Sequence, residues 1–311
     1  MSALICGSFA YDTIMVFEGR FKNHILPDKV HILNVSFLVP DLRREFGGCA
    51  GNIAYNLQLL DGDPLPMGTV GEDFEPYADW MDECGVSRGH VRLVPGSYTA
   101  QAFITTDQDD NQITAFHPGA MNHAQNNSVR DAEGVTIGIV SPDGRAGMLK
   151  HAQEFAELDI PFVFDPGQGL PMFDGKELEA FIEQATWLAM NDYEAEMLSE
   201  KTGLSRKQIS ARVKAMIVTR GGKGSVAYAD GKELEIPVAR ISGVKDPTGC
   251  GDAYRAGLLY GLINNMDLET TLRVASLMGA IKIEHAGTQR HLFSREEFRE
   301  RFKESFDFLL D

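Results

Sequence analysis

From about residue 130 onward the chain alternates short apolar runs with amphipathic stretches. Val135 to Val140 reads as a strand, Gly144 to Leu158 as a helix, Pro161 to Phe164 as a strand ending at Asp165, and Trp187 to Met190 as a strand ending at Asn191. Strand, helix, strand in this order predicts a mostly parallel sheet covered on both faces, with ligands at the carboxyl ends of its strands. Leu4 to Cys6 has the same short apolar character and reads as a buried first strand; it runs into Gly7-Ser-Phe-Ala-Tyr-Asp12, a small-residue turn ending in a carboxylate. Ile217 belongs to a further strand, followed by a glycine turn and a hairpin with Asp230-Gly231 at its tip. Leu268 to His285 is helical and ended by Gly287; Ser294 and Glu297 form a capping box that opens a last helix from Arg295 to about Phe308.

Between Ile14 and Glu45 the pattern changes. The runs Ile14–Phe17, His31–Val35 and Phe37–Val39 are separated by polar residues and by Pro27 and Pro40. They are too short for helices and suit a small sheet or flap outside the core. Tyr98 to Asp107 and Gln112 to Phe116 read as two more strands around the polar turn Asp109-Asp110-Asn111.

Composition narrows the partners. The chain has 311 residues and a formal net charge of −16, which argues against nucleic acid or an anionic membrane surface as the main partner. Cys6, Cys49, Cys84 and Cys250 are scattered and read as reduced thiols, and His117 and His123 lack partners at metal-ligand spacing. The start has no basic region before its apolar run, and no apolar run is long enough to span a bilayer, so a soluble cytoplasmic protein is expected.

The chemistry concentrates in Asp246-Pro-Thr-Gly-Cys-Gly-Asp252, a glycine turn opening directly into a helix. Gly249 and Gly251 let backbone N–H groups converge on one point, and a helix N-terminus suits an anion. Asp252 reads either as a helix cap or as a base that accepts a proton from an attacking hydroxyl. A second glycine turn, Phe46-Gly-Gly-Cys-Ala-Gly-Asn52, precedes the helical run Ile53 to Leu60. A third, Ile217-Val-Thr-Arg-Gly-Gly-Lys-Gly-Ser225, is neither a Walker A loop nor a Rossmann fingerprint. Asn191 reads as a helix cap with Glu194 in the first turn, or as half of a water-rich cation site with it.

These segments resemble, in order, the motifs of the ribokinase/PfkB carbohydrate and nucleoside kinases. Asp246 to Asp252 is similar to D-T-x-G-A-G-D, with Pro247 and Cys250 as departures. Gly47, Gly48, Asn52 and Ala54 match G-G-x-x-x-N-x-A; Met67 to Phe74 resembles G-x-x-G-x-D-x-F; Asn191 to Glu194 matches N-x-x-E; and Thr219 to Gly224 resembles T-x-G-x-x-G. The resemblance covers essentially the whole chain. It implies a ribokinase-like three-layer αβα sandwich with a mostly parallel central sheet and a small β lid. The core would take residues 1–13, 46–96 and 121–311, and the lid 14–45 and 97–120.

The same resemblance implies site roles. Asp252 would be the catalytic base, with the amides of Gly249, Cys250 and Gly251 as the anion hole. Asp12, Gly47, Gly48 and Asn52 would hold the sugar. Ser8, Phe37, Gln101 and Phe103 would lie near the rest of the substrate, and Ala280 against adenine. Thr219, Arg220, Gly222, Gly224 and Asn191 would serve ATP, with Glu194 helping to hold Mg²⁺ through water. By analogy a monovalent cation such as K⁺ is implied near Asp246 and Thr248. The long first lid insertion and Phe37-Leu-Val-Pro40 look more like adenosine and general nucleoside kinases, so a purine nucleoside (adenosine, inosine or guanosine) is expected as substrate. Ser8 stands where adenosine kinases place Asn, which leaves inosine or guanosine open. A ribose or fructose kinase is the runner-up, and a nucleoside-binding protein without catalysis is a third reading. A monomer or homodimer is expected. Cys250 is expected to be open to alkylation, because it lies at a helix N-terminus.

Overall fold

Residues 2–25, 34–109 and 111–310 are described by the computed structural model. Among these residues nine strands form one sheet. In chain order they are β1 (Ser2–Cys6), β4 (Asp63–Val70), β5 (His90–Leu93), β8 (Val135–Val140), β9 (Phe162–Phe164), β10 (Trp187–Asn191), β11 (Ala215–Thr219), β12 (Ser225–Ala229) and β13 (Lys232–Ile236). Across the sheet the order is β13-β12-β11-β10-β9-β8-β1-β4-β5, parallel from β11 to β5 and antiparallel for the β11–β12 and β12–β13 pairs. Asp230 and Gly231 both take positive φ at the hairpin tip, as a primed two-residue turn requires.

Alternation along the strands divides the core into two halves. Ala3, Ile5, Ile137, Ile139, Val163, Ala189, Ala215 and Ile217 face one side, packed against α1 (Cys49–Leu59), α2 (Glu75–Glu83), α7 (Cys250–Ile263) and α8 (Leu268–Ile283). Their neighbours Leu4, Cys6, Val140, Phe162, Phe164, Leu188, Met190, Met216 and Val218 face the other side, against α3 (Arg145–Glu157), α4 (Gly175–Gln184), α5 (Asp192–Thr202) and α6 (Arg206–Ser210). The last helix, α9 (Arg295–Phe306), packs Phe298 and Phe302 into an outer cluster with α8. The result is the expected three-layer αβα sandwich. No helix among the described residues is long and apolar enough to cross a membrane.

Four strands form a second sheet: β2 (Ala10–Val16), β3 (Asp41–Gly47), β6 (Ala100–Thr106) and β7 (Gln112–His117), in the order β3-β2-β6-β7. It is mixed, because β2 and β6 run parallel. Two details differ from the sequence reading. The strands begin at Ala10 and reach Gly47, past the expected bounds at 14 and 45, so Asp12 lies within a strand of the small sheet rather than in a core turn. The run Phe37–Val39 is irregular, and the strand is instead the charged Asp-Leu-Arg-Arg-Glu-Phe-Gly segment of β3. Part of the expected His31–Val35 strand, His31 to Leu33, falls outside the described residues; Asn34 and Val35 are irregular.

The sheet order reverses direction at β1, which pairs with β8 on one side and β4 on the other. Such a switch point leaves a crevice beyond the strand ends. Gly7 leaves β1 here, Ser141 leaves β8, and Asp165 leaves β9.

Candidate active site

Two helix starts meet in this crevice. Helix α1 opens at Gly48, whose φ of 85° places it in the region that favours glycine. A Cβ there would lie 2.5 Å from Ser8 O, so only glycine lets the helix press against the loop after β1. The contact is sealed by Ala50 N–H donating to Ser8 O (3.0 Å) and Cys49 N–H donating to Ser8 Oγ (3.3 Å). Ser8 is thus a buried cap for α1, with its hydroxyl proton and one lone pair still unused. A Cβ on Gly47 would lie 2.7 Å from Asp12 Oδ2; the missing side chain makes room for the carboxylate.

Helix α7 opens at Gly249, also at positive φ (77°). The N–H of Cys250 donates back to Pro247 O (3.2 Å), whereas those of Gly249 and Gly251 have no acceptor among the described residues. The Asp252 N–H likewise has no acceptor among the described residues, so the free amides at this helix start are those of Gly249, Gly251 and Asp252, while the Cys250 N–H is already engaged. A Cβ on Gly251 would meet nothing within 4 Å, so space lies open in front of it. The Cys250 thiol, expected to be open to alkylation, lies in a setting that disfavours its thiolate. Burial pushes it up to about 11, with Asp246 and Asp252 adding to the rise and Lys282 opposing it.

Asp252 sits in the first turn of α7 and accepts a hydrogen bond from Asn52 Nδ2 (2.8 Å). Burial raises its carboxyl to about 6, and the Asp165 charge adds to this, while Asn52 and the Arg255 guanidinium pull the other way. A carboxylate poised near 6 is ionised at neutral pH yet basic enough to take a proton. Arg255, one turn further along α7, is buried and bonds Asp165 Oδ1 (3.0 Å). Asp165, Glu194 and Asp252 all act on that guanidinium, so one buried cation offsets three carboxylates. The sequence reading passed over Arg255 because an arginine inside an apolar helix gives no sign of its partner.

The Asn52 amide is itself held. Its Oδ1 accepts from Gln289 Nε2 (2.9 Å), which fixes Nδ2 toward Asp252. Gln289 Nε2 also donates to Tyr77 OH (2.6 Å), and Gln289 Oε1 accepts from Trp80 Nε1 (2.9 Å). Tyr77 OH in turn donates to Gly47 O (2.9 Å). This buried chain joins the Gly47 turn to Asp252. Gln289 also escaped the sequence reading, since a lone glutamine in a loop carries no pattern.

The second sheet roofs the crevice. Asp12 pairs with Glu45 on β3 and Ala102 on β6, and Ala102 pairs with Phe116 on β7, so these four side chains share one face. Asp12 on that face is raised to about 6, first by burial and then by Glu45 and Asp246. Gln101 and Phe103 are one residue out of step and project from the opposite face. Gln101 Nε2 donates there to Asp73 Oδ2 (2.9 Å), beside Arg44, whose guanidinium lies 3.4 Å from the Tyr11 ring centre. Strand alternation thus removes Gln101 and Phe103 from the Asp12 face, and Phe116 is the aromatic found on it. Phe37 packs against Phe17 and Phe21 (ring centres 4.8 and 5.0 Å apart) in a separate aromatic cluster.

The remaining expected residues line the strand ends farther along. Asn191 and Glu194 form a reciprocal capping box, with Glu194 Oε2 and Oε1 accepting from Asn191 N (2.7 Å) and Nδ2 (3.0 Å). Burial raises the Glu194 carboxyl, and Asp165 and Asp192 add to it. Thr219 Oγ1 donates to Met190 O (3.3 Å). Arg220 pairs with Glu235 (3.3 Å), so its charge is already shared. Gly222 has open space around its Cα, and Gly224 (φ 80°) packs against Ile236 O. Ala280, expected to lie against adenine, is 4 % exposed and packs into the α7–α8–α9 cluster, so it presents little surface to a ligand; the α8 residue facing Cys250 is Gly279.

Comparison with known proteins places this geometry. The pfkB family carbohydrate kinase profile matches residues 19–294. A nucleoside kinase of Methanocaldococcus jannaschii is 31 % identical over 272 residues, 87 % of this chain and 89 % of the relative. The structure of Burkholderia thailandensis nucleoside kinase in complex with inosine is similar at a TM-score of 0.90 and 53 % identity, covering 99 % of each chain. Its complex with ADP-inosine gives a TM-score of 0.88 at 55 % identity, covering 99 % of this chain and 97 % of that one.

Proposed function

Because the chain belongs to the pfkB carbohydrate kinase family and is an ATP-dependent kinase, we propose that it phosphorylates the ribose 5′-hydroxyl of a purine nucleoside. The observation that carries this is Asp252, ionisable near neutrality and held by Asn52, at a helix start whose Gly249 and Gly251 amides are free. Asp252 takes the hydroxyl proton as the hydroxyl oxygen bonds the γ-phosphorus of ATP and the bond to the ADP oxygen breaks. The two glycine amides and the α7 dipole meet the charge on the transferring group. Asp12, at the Gly47–Gly48 turn, accepts the ribose hydroxyls, and the second sheet closes over them as a lid. The relative solved with inosine supports a purine base, which Phe116 would cover. In this scheme strands β2, β3, β6 and β7 act as the lid, reaching past the expected bounds of 14–45 and 97–120, and the large sheet with its helices acts as the core.

Thr219, Gly222 and Gly224 line the nucleotide side. Mg²⁺ would neutralise phosphate charge there. Asn191 and Glu194 would hold it through water, because their capping box already uses both carboxylate oxygens.

ATP consumption is measured against adenosine, inosine, guanosine, ribose and fructose, with Asp252→Asn as control. Nucleoside-dependent turnover that falls by roughly three orders of magnitude in the variant, with nucleoside binding retained, is the expected result. Turnover with free sugars alone would move the substrate class to a sugar kinase. Tight nucleoside binding without turnover would make it a binding protein.

A further inference from the structure

The monovalent cation implied for the turn at Asp246 and Thr248 does not fit the groups found there. Asp246 Oδ1 accepts from Thr248 N–H (2.9 Å) and Oδ2 from Gly287 N–H (2.9 Å). The Asp246 carbonyl accepts from Lys282 Nζ (2.8 Å), which also donates to His285 O (3.1 Å). Lys282 stands in the last turn of α8 and is fully buried. The neighbouring backbone closes the pocket further, with Lys245 and Asp246 N–H groups both donating to Ile283 O (2.8 and 3.2 Å).

A fully buried lysine is rare, because desolvating an ammonium is costly unless other groups compensate. Burial holds the Lys282 ammonium below its usual value, and this is opposed by the Asp246 carboxylate, by the two carbonyls that accept its protons and by the carbonyl end of α8. These are the elements of a monovalent-cation site: one positive charge, oxygen ligands and a nearby carboxylate, beside a turn that carries anion-binding amides. We infer that Lys282 is a built-in monovalent cation, whose ammonium takes the place of a dissociable ion and holds the Asp246–Gly251 turn in position. An added K⁺ ion would have to share the Asp246 carbonyl with the ammonium and meet its charge in a site with little water to screen it. Lys282 is a positioning residue; its charge favours the ionised Asp246 and opposes the rise at Cys250.

The turnover arm of the test rests on the kinase reading above, and the melting arm does not. Wild-type protein and Lys282→Met are assayed in tetramethylammonium chloride and in KCl at equal ionic strength. The wild type is expected to melt at the same temperature and turn over at the same rate in both salts. Lys282→Met is expected to lose roughly tenfold or more in kcat without K⁺, as removal of hydrogen bonds from a charged donor implies. K⁺ should then restore both turnover and melting temperature, and Li⁺ should not. A wild type that K⁺ activates or stabilises overturns the inference, as does a variant whose loss no alkali ion repairs. If Lys282→Met does not fold, Lys282→Ala in KCl replaces it, and the wild-type comparison stands without any variant. Absence of nucleoside turnover in every salt counts against the kinase reading alone, because the melting arm still decides the role of Lys282.

Discussion

Replacing Asn52 with leucine separates its two proposed duties, holding Asp252 and holding the sugar. The side chains are similar in size, but Asn52→Leu deletes the 2.8 Å bond from Nδ2 to Asp252 Oδ2. A hydrogen bond to a charged acceptor contributes about 1.5–3 kcal/mol. At about 1.4 kcal/mol per pH unit, its loss raises the Asp252 carboxyl by roughly 1–2 units from its position near 6. The ionised fraction at pH 7 then falls from about nine-tenths to about half or less. The assay is kcat/KM for the nucleoside across pH at constant ionic strength, which reports groups of the free enzyme. Asp12 is also held near 6, so the wild-type acid limb should be steep, with both carboxylates required in their ionised form. In the variant the limb should split, one part staying near 6 and the other moving toward 7–8. A limb that stays in place while kcat/KM drops equally at every pH would refute the reasoning and leave Asn52 as a sugar ligand only.

Gln289→Met should orphan the buried Asn52 Oδ1 and the half-buried Trp80 Nε1, at a cost of about 2–5 kcal/mol. For a chain of this length that is a fall of roughly 3–8 °C in melting temperature, read by calorimetry; an unchanged midpoint would mean that the two groups find other partners. Phe116→Ala should raise KM for the nucleoside roughly tenfold through lost stacking on the base, with kcat little changed. If KM holds and Phe103→Ala raises it instead, the substrate lies on the other face of the second sheet.

Local pattern carried the architecture because strands and helices in a covered parallel sheet are written in short-range periodicity. The runs at Val135–Val140 and Trp187–Met190 are apolar on both faces, as the two packed cores require. Charged β3 escaped because Arg43, Arg44 and Glu45 alternate in no apolar pattern; its pairing with β2 makes it a strand. The glycine turns were legible for a related reason, since Gly48 and Gly249 meet local backbone demands that few other residues satisfy.

The sequence by itself therefore determined the layered α/β plan, the glycine-opened helices and the residue types from which a phosphoryl-transfer site is built. Tertiary structure decided which side chains work together. Asn52 reaches Asp252 across 200 residues, and Gln289 orients Asn52 across 237. One step of strand register turns Gln101 and Phe103 away from Asp12 and brings Phe116 to its face. Ala280 packs inward although its helix borders the site, and Lys282, two residues later, delivers a cation to the Asp246 turn. Periodicity fixes which way a residue points relative to its own element, whereas charge compensation and hydrogen-bond partnership depend on what another element brings to the same place.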